Sequence, residues 1–170
     1  MNLQPTANIV LIAPEIPQNT GNVIRLSANV GARLHLVKPL GFELENPGLR
    51  RASLDYSDLT DILVHESIDA FLETISINRV YAATTSGTVP YTTPQYQLGD
   101  TIVFGSESVG LPDSLVNTLK SENRVHIPMM PANRSLNLSN AAAIVVYEMW
   151  RQIYFHGSSD SQNRNPYYFS

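Results

Sequence analysis

The chain has 170 residues, of which 43% are hydrophobic and 15% charged, with a formal net charge of −4 and no cysteine. This length and composition favour one globular domain, argue against disorder and against a membrane span of roughly 18 apolar residues, and the negative charge argues mildly against a non-specific nucleic-acid binder. The lack of cysteine excludes a thiol nucleophile and a thiolate metal site, and the N-terminus does not resemble a signal peptide, so we expect a cytoplasmic protein without a membrane partner.

The first part of the chain alternates between strand and helix signals. The run NIVLIA, residues 8–13, is apolar, rich in β-branched residues and followed by Pro14, which predicts a buried and central strand. After the predicted turn PEIPQNTGN, residues 23–30 have apolar side chains at helical spacing and stop at Gly31, the usual residue of a helix C-cap. The run RLHLV then predicts a second strand.

The alternation continues to the C-terminal part of the chain. Strands are predicted at DILVH, RVYAAT, TIVFG and RVHIP, and helices at residues 68–75, after Pro112 and at 141–147. This order predicts an α/β fold with a mostly parallel sheet, covered by helices on both faces and connected by right-handed crossovers. No repeat or linker divides the chain, so we expect one domain over residues 1–157 and a polar tail, residues 158–170, that frays.

Three polar clusters each follow a predicted strand: PQNTGNVIR, GSESVGLP and PMMPANRSLNLSN. The carboxyl ends of parallel strands meet at one edge of a sheet, so the three clusters are expected to share a cleft. The alternative is that each is ordinary turn chemistry, because Gly, Pro, Asn and Ser are the common turn residues.

Several common kinds of site have no signature in this sequence. Neither the phosphate-binding pattern G-x-x-x-x-G-K-[ST] nor the dinucleotide pattern G-x-G-x-x-G is present. The segment GSESVG differs from the G-x-S-x-G pattern of serine hydrolases. The histidines lack the spacing of metal ligands, so we expect no metal; they are His35, His65, His126 and His156.

Taken in order, PEIPQNTGNVIRLSANVG, IVFGSESVGLP and IPMMPANRSLNLSNAAAIVVYE resemble the three motifs of the SPOUT superfamily of methyltransferases, in its TrmH-like branch. Together with LRRASLDY and the short chain, they look most like the TrmL (YibK-like) tRNA 2'-O-methyltransferases, over about residues 8 to 153. The resemblance implies a SPOUT fold with a C-terminal trefoil knot, S-adenosyl-L-methionine as cofactor, and a homodimer. It also implies methylation of the wobble ribose, of a cytidine or modified uridine, in the anticodon loop of leucine tRNAs.

The resemblance also assigns residues. Those matching catalytic positions are Asn19, Arg25, Glu107 and Asn137, and those matching cofactor-contacting segments are Ala83, Thr84, Gly105, Ile127, Met129, Ser135 and Leu136. A guanidinium with a pKa above 12 is a poor proton acceptor, so we interpret Arg25 as a group that grips a substrate phosphate and stabilises the forming alkoxide. Otherwise Arg25 is an ordinary arginine on a helix surface.

The other matched positions have structural alternatives. Glu107 either orients Arg25 or binds RNA-facing groups, or it is a loop acid near a helix N-terminus. Gly105 either allows the backbone to approach the cofactor or is a turn glycine, and Asn137 either acts in the reaction or is a hydrogen-bonded loop amide. Ala83 stands where relatives can carry a larger apolar residue, so a backbone contact is expected there.

The third motif combines a polar loop with an apolar helix. Residues 135–140 supply hydroxyl and amide groups for a polar ligand, and Ser139 or Asn140 is expected to cap the helix that follows. Residues 141–147 are apolar on every side, so that helix must be buried all round. Either the core or a second copy of the chain covers it.

RNA contacts are expected from positive charge. Arg25, Arg33, Lys38, Arg50 and Arg51 precede residue 52, where the acidic residues are Glu15, Glu43 and Glu45. This is either a solvated surface or a phosphate-binding face, and the resemblance favours Arg50, Arg51 and Arg134 as phosphate contacts, with Tyr56 either stacking on a base or packed. Recognition of a 2'-hydroxyl would exclude DNA as substrate.

Two alternative functions remain open from the sequence. One is 2'-O-methylation at another tRNA or rRNA position, because the motifs define the methyl site better than the RNA. The other is a catalytically silent RNA-binding module of the same fold. The presence of Arg25, Glu107, Ser135 and Asn137 argues against the second, since a silent relative would be free to lose them.

Overall fold

The computed structural model of the chain describes residues 4–45, 47, 49 and 61–159. Arg50, Arg51, Tyr56 and the tail from residue 160 onward lie outside the described residues. The strands are β1 Ala7–Ile12, β2 Arg33–Val37, β3 Ile62–His65, β4 Val80–Ala83, β5 Val89–Pro90, β6 Asp100–Phe104 and β7 Arg124–His126. The helices are α1 Pro17–Val30, α2 Ile68–Leu72, α3 Asp113–Val116 and α4 Leu138–Gln152, with short 3-10 helices at Ile77–Arg79 and Ser121–Asn123.

The seven strands form one sheet in the order β3-β2-β1-β6-β4-β7-β5. Every pairing between these strands is parallel, which confirms the predicted α/β architecture. Strand β1 lies between β2 and β6, and its side chains alternate between two apolar clusters. Ile9 and Leu11 join one cluster, while Val10 and Ile12 join the other. The central strand is therefore buried on both faces, as its continuous apolar run predicts.

Helix α1 begins six residues earlier than predicted. The segment interpreted as a turn is helical from Pro17, which occupies the first turn of the helix, where a missing backbone N–H costs nothing. The predicted end is confirmed: Gly31 has φ 69° and its N–H donates to the Ser27 carbonyl. The preference of Asn and Gly for turns is a weak local signal, and here the contacts that α1 makes with the rest of the chain outweigh it.

The N-cap of helix α4 differs from the one predicted from the sequence. The Asn137 side chain accepts from the backbone N–H groups of Ser139 and Asn140, so the expected cap by Ser139 or Asn140 is wrong. The helix is also not buried all round within the described chain. Ala142, Val145, Val146 and Met149 are buried, whereas Ile144 is 37% exposed and Tyr147 45% exposed. The described residues therefore leave one apolar stripe of α4 uncovered.

The remaining helices are shorter than their patterns suggested. Helix α2 ends at Leu72 and not at residue 75, and α3 has a single turn after Pro112. The two-residue strand β5 was not predicted, since a strand of two residues has no period. The trefoil knot stays a prediction. Among the described residues, no helix is both long and apolar enough to cross a membrane.

Two histidines that are distant in sequence meet between β2 and β3. Asn8 Nδ2 donates to the Gly99 carbonyl (2.8 Å), so Asn8 Oδ1 accepts from His35 Nε2 (3.3 Å). His35 thus carries its proton on Nε2, and its Nδ1 accepts from His65 Nε2 (2.9 Å). The two rings stack and both meet the edge of Phe71. This arrangement requires the imidazole of His35 to be neutral, because its Nδ1 is an acceptor.

Protonation of His35 is expected to destabilise the fold. Burial, followed by the charges of His65 and Arg33, lowers the pKa of His35 from 6.5 to about 4, against an opposing effect of Asp61. Because the unfolded chain binds this proton more tightly, the stabilisation is complete above pH 6.5 and is lost as the pH falls towards 4. The expected loss is about 3 kcal/mol.

Urea unfolding of the wild type and of His35→Gln, repeated between pH 7 and 4, measures this loss. The wild type should show the steeper fall in unfolding free energy, because the remaining titratable groups are the same in both proteins. His156→Gln changes an exposed histidine and is the control. Equal slopes in the wild type and His35→Gln would contradict the assignment.

Candidate active site

A cavity of about 640 Å³ opens at the carboxyl ends of β4, β6 and β7. The segments after β1 and before α4 complete its walls, so residues from all three polar clusters line it. This confirms the expected shared cleft, and it follows from the parallel sheet, since the strand ends point to one edge. The charged residues that line the cavity are Glu107, Asp113 and Arg134.

All seven predicted cofactor residues line this cavity: Ala83, Thr84, Gly105, Ile127, Met129, Ser135 and Leu136. The N–H of Thr84 donates to the Val125 carbonyl (2.9 Å), which holds the end of β4 against β7. At Gly105, a Cβ would lie 2.0 Å from the carbonyl carbon of Gly110. The turn itself therefore requires glycine at position 105, which supports the turn interpretation of that residue.

The Glu107 carboxylate links the second motif to the first by hydrogen bonds. It accepts from the backbone N–H groups of Glu15 (2.8 Å) and Ile16 (3.2 Å) and from Asn19 Nδ2 (2.9 Å). Its partners are thus donors ahead of and within the first turn of α1, and not the guanidinium of Arg25. The structure places Glu107 where it positions the segment between β1 and α1.

A second amide extends this contact to the third motif. Asn137 Nδ2 donates to Asn19 Oδ1 (2.9 Å), and Asn137 Oδ1 accepts from the N–H (2.9 Å) and hydroxyl (2.7 Å) of Ser139. Asn19 is buried, and both its Nδ2 and its Oδ1 are hydrogen-bonded, which fixes the orientation of the side chain. One network from Glu107 through Asn19 to Asn137 therefore joins all three motifs at the cavity wall.

Arg25 does not line the cavity of its own chain. It is six residues after Asn19, which is about 9 Å along the helix axis and about 120° around it. Asn19 faces the cavity, whereas Arg25 lies on the exposed side of α1. The structure thus brings together Asn19, Glu107 and Asn137 but separates Arg25 from them. Arg134 lines the cavity and is exposed.

Sequence reasoning missed several lining residues: Ile16, Thr85, Ser86, Phe104, Val109, Val116, Leu138 and Ala141. Most lie in or beside the three polar clusters or directly after β4, so their position after a strand was the available signal. Val116 on α3 had no such signal, because its side chain reaches the cavity from a short helix whose packing the sequence does not reveal. Within the part of the chain that the structure describes, no group of three or more potential ligands could hold a metal ion.

Removing the Glu107 carboxylate is expected to loosen the start of α1. Glu107→Ala leaves two backbone N–H groups and the Asn19 amide without their acceptor, which should lower the unfolding free energy by about 1–3 kcal/mol. Urea unfolding measures the change. Glu122→Ala, which removes an exposed glutamate, is the matched control and should have no effect. Equal stability of the two variants would argue against this positioning role.

The chain is similar to proteins of a known family. Residues 6–147 match the SpoU rRNA Methylase family. A relative from Methylovorus glucosotrophus is 52% identical over 89% of this chain and 98% of its own length. One from Escherichia coli K12 is 50% identical over 89% of this chain and 96% of its own. Both are called tRNA (cytidine(34)-2'-O)-methyltransferase.

A solved structure described as "Structural insights into the 2-OH methylation of C/U34 on tRNA" has the same fold. Its TM-score is 0.83 and its sequence identity is 42%. The alignment covers 87% of this chain and 96% of that one. The fold described above is thus the one found in this structure over nearly its whole length.

Proposed function

The chain belongs to the SpoU rRNA Methylase family, and on that premise we propose that it transfers a methyl group from S-adenosylmethionine to the 2'-hydroxyl of nucleotide 34 of a tRNA. The observation that carries the proposal is the single network from Glu107 through Asn19 to Asn137, which holds three motifs around one cavity. Relatives about half identical to this chain bear the name of that reaction.

The residues of the cavity fit the proposed cofactor. Its volume of about 640 Å³ suits a small-molecule ligand, for which pockets of about 300–1,000 Å³ are usual. Phe104, Ile127 and Leu138 offer apolar contact for a planar base, and the hydroxyls of Thr84 and Ser135 offer polar contact for a ribose or an amino-acid end. Bound S-adenosylmethionine supplies an electrophilic methyl group on a sulfonium sulfur.

The chain's own residues then have distinct tasks. A ribose 2'-hydroxyl is a weak acid, so the protein must hold it in line with the methyl group and stabilise negative charge on its oxygen as it reacts. We assign that stabilisation to the Arg25 guanidinium, which stays cationic and also grips a neighbouring phosphate bidentately. Asn19, Glu107 and Asn137 act as positioning residues, because their side chains bond to each other and to backbone groups.

A second copy of the chain would complete the site. Ile144 and Tyr147 form an apolar stripe of α4 that the described residues leave uncovered, and Asn22 on the exposed side of α1 contacts Ser139 at the start of α4 (3.5 Å). Arg25 is on that exposed side of α1. We therefore propose a homodimer through this face, in which Arg25 serves the cavity of the partner subunit.

The RNA partner is proposed from positive charge at the cavity and from the sequence resemblance. Arg134 at the cavity is the proposed phosphate contact, together with Arg50 and Arg51, which lie outside the described residues. The sequence resemblance extends the proposal to the anticodon loop of leucine tRNAs. A tRNA substrate would in turn place the reaction in the cytoplasm.

The proposed function is tested by transfer of labelled methyl from S-adenosylmethionine to a leucine tRNA and to the same tRNA with a 2'-deoxy nucleotide at position 34. Label is expected on the first and not on the second. Label on other tRNAs or on rRNA alone would move the target but keep the reaction. No labelled RNA, and no cofactor binding by calorimetry, would overturn the proposal in favour of a silent RNA-binding module.

A further inference from the structure

A second cavity of about 450 Å³ lies at the opposite edge of the sheet. Residues at the amino ends of β1, β2 and β6 line it, together with the segments 74–79 and 97–99. A strand of five residues separates the two edges by about 16 Å. The second cavity is therefore separate from the candidate active site and shares no lining residue with it.

Hydrogen-bond acceptors at this cavity are already occupied by the protein. The Gly99 carbonyl accepts from Asn8 Nδ2 (2.8 Å), and the Leu98 carbonyl accepts from Gln4 Nε2 (3.2 Å). The buried Asp100 carboxylate accepts from Arg79 Nε (2.7 Å), from Arg79 Nη2 and from the N–H of Gln97 (2.8 Å). The carboxylate therefore has its positive partner and does not oppose a second anion strongly.

Donors, by contrast, are in surplus. Arg33 uses Nε to bond Asp61 (2.7 Å), and within the described residues neither of its Nη atoms donates a hydrogen bond. Nη1 of Arg79 likewise donates no hydrogen bond to a described residue. The Thr101 hydroxyl accepts from Asn8 (3.4 Å), and no described acceptor takes its hydrogen. Several unused N–H and O–H groups thus border one polar cavity.

The unused donors belong mainly to two guanidinium groups. The lining contains two arginines and one aspartate, and Asp61, which balances the charge of Arg33, lies outside the lining and is 58% exposed. Paired N–H groups of a guanidinium match the oxygens of a phosphate, and an acidic RNA-binding protein needs such local sites. We propose that this second cavity binds a phosphate group, which, resting on the proposed function, is a backbone phosphate of the tRNA substrate.

Arg33→Gln is the principal test, because its partner Asp61 is 58% exposed and tolerates the loss. Lys38→Gln is the matched control: it removes the same charge from an exposed ion pair just beyond the other end of β2. Leu63→Glu adds a carboxylate at the cavity without removing a side-chain hydrogen bond and is the second variant. Melting temperatures verify that all three fold.

Two measurements follow. Inorganic phosphate is titrated into the wild type while the amide resonances of Gly99, Thr101 and the Asn8 side chain are recorded by NMR. Saturable shifts are expected in the wild type and Lys38→Gln and should be lost in Arg33→Gln and Leu63→Glu. In tRNA binding, Arg33→Gln should lower the affinity several-fold and reduce the slope of log K against log salt by about 1.

The outcomes separate this site from the proposed function. Loss of both phosphate shifts and salt slope in Arg33→Gln supports the proposal. Phosphate shifts without any change in tRNA binding would overturn the RNA backbone as the source and leave a site for a small phosphorylated molecule. No saturable shift in the wild type would overturn the site altogether. Methyl transfer and cofactor binding, measured on the same preparations, report independently on the proposed reaction.

Discussion

Arg25→Ala is expected to lower the rate of methyl transfer by about 10²–10³-fold, the effect of removing one preorganised group that stabilises an oxyanion. The affinity for S-adenosylmethionine should stay within a few-fold, because Arg25 does not line the cavity of its own chain. Single-turnover transfer of labelled methyl measures the first quantity, and titration calorimetry the second.

Two further variants make this result interpretable. Arg25→Lys keeps the charge but loses the bidentate geometry, so it should recover only part of the activity. Arg151→Ala removes another exposed helix arginine, whose partner is Glu148 (2.7 Å), and should leave the rate unchanged. A large loss of cofactor binding in Arg25→Ala would contradict the assigned role and make Arg25 a structural or cofactor-binding residue.

The strands were predictable because their burial leaves a plain pattern. β1 and β6 are buried and contain the apolar runs 9–12 and 102–104, and β2 has apolar residues at 34, 36 and 37; short segments of this kind have few alternatives to a buried strand. The alternation of these strands with helices then predicted a parallel sheet. β5 was missed because Val89 and Pro90 form a strand only through their pairing with β7, which no local pattern encodes.

The helix starts were less predictable, for a different reason. The sequence around Asn19 reads as a turn, yet Glu107 accepts from the backbone before α1 and from Asn19 itself, 88 positions away. At α4, the sequence favoured Ser139 or Asn140 as the cap, whereas the observed cap is Asn137, which also bonds Asn19, 118 positions away. Such long-range contacts decide between local alternatives that sequence alone leaves open.

The candidate site was found from its motifs, but its internal geometry was not. The position of the three clusters after predicted strands correctly gave the shared cavity, and the seven residues that the resemblance assigns to the cofactor line it. It did not reveal that Glu107 bonds Asn19, or that Arg25 turns away from both. The His35 and His65 pair shows the same limit: 30 positions apart, the two rings meet only because β2 and β3 are neighbours.

Mixing two variants of low activity should restore activity if Arg25 serves the cavity of the partner subunit. Asn137→Ala removes the amide that bonds Asn19 and caps α4, so it is expected to disable the cavity of its own chain. In a heterodimer of Arg25→Ala and Asn137→Ala chains, one site carries both changes and the other carries neither. Random pairing makes half of the dimers mixed, so an equal mixture should recover about a quarter of wild-type activity, whereas each variant alone stays near zero. Methyl transfer after co-refolding of the two chains measures the recovery.

Ile144→Glu provides the companion test, because it places a carboxylate on the uncovered stripe of α4 without touching the cavity. Light scattering should report a monomer, and methyl transfer should fall while the affinity for S-adenosylmethionine remains, since the seven predicted cofactor residues all line the cavity of one chain. No recovery in the mixture together with an active Ile144→Glu monomer would mean that Arg25 acts on its own cavity. A rotation of α1 by about 120° would then be needed to bring its guanidinium beside Asn19.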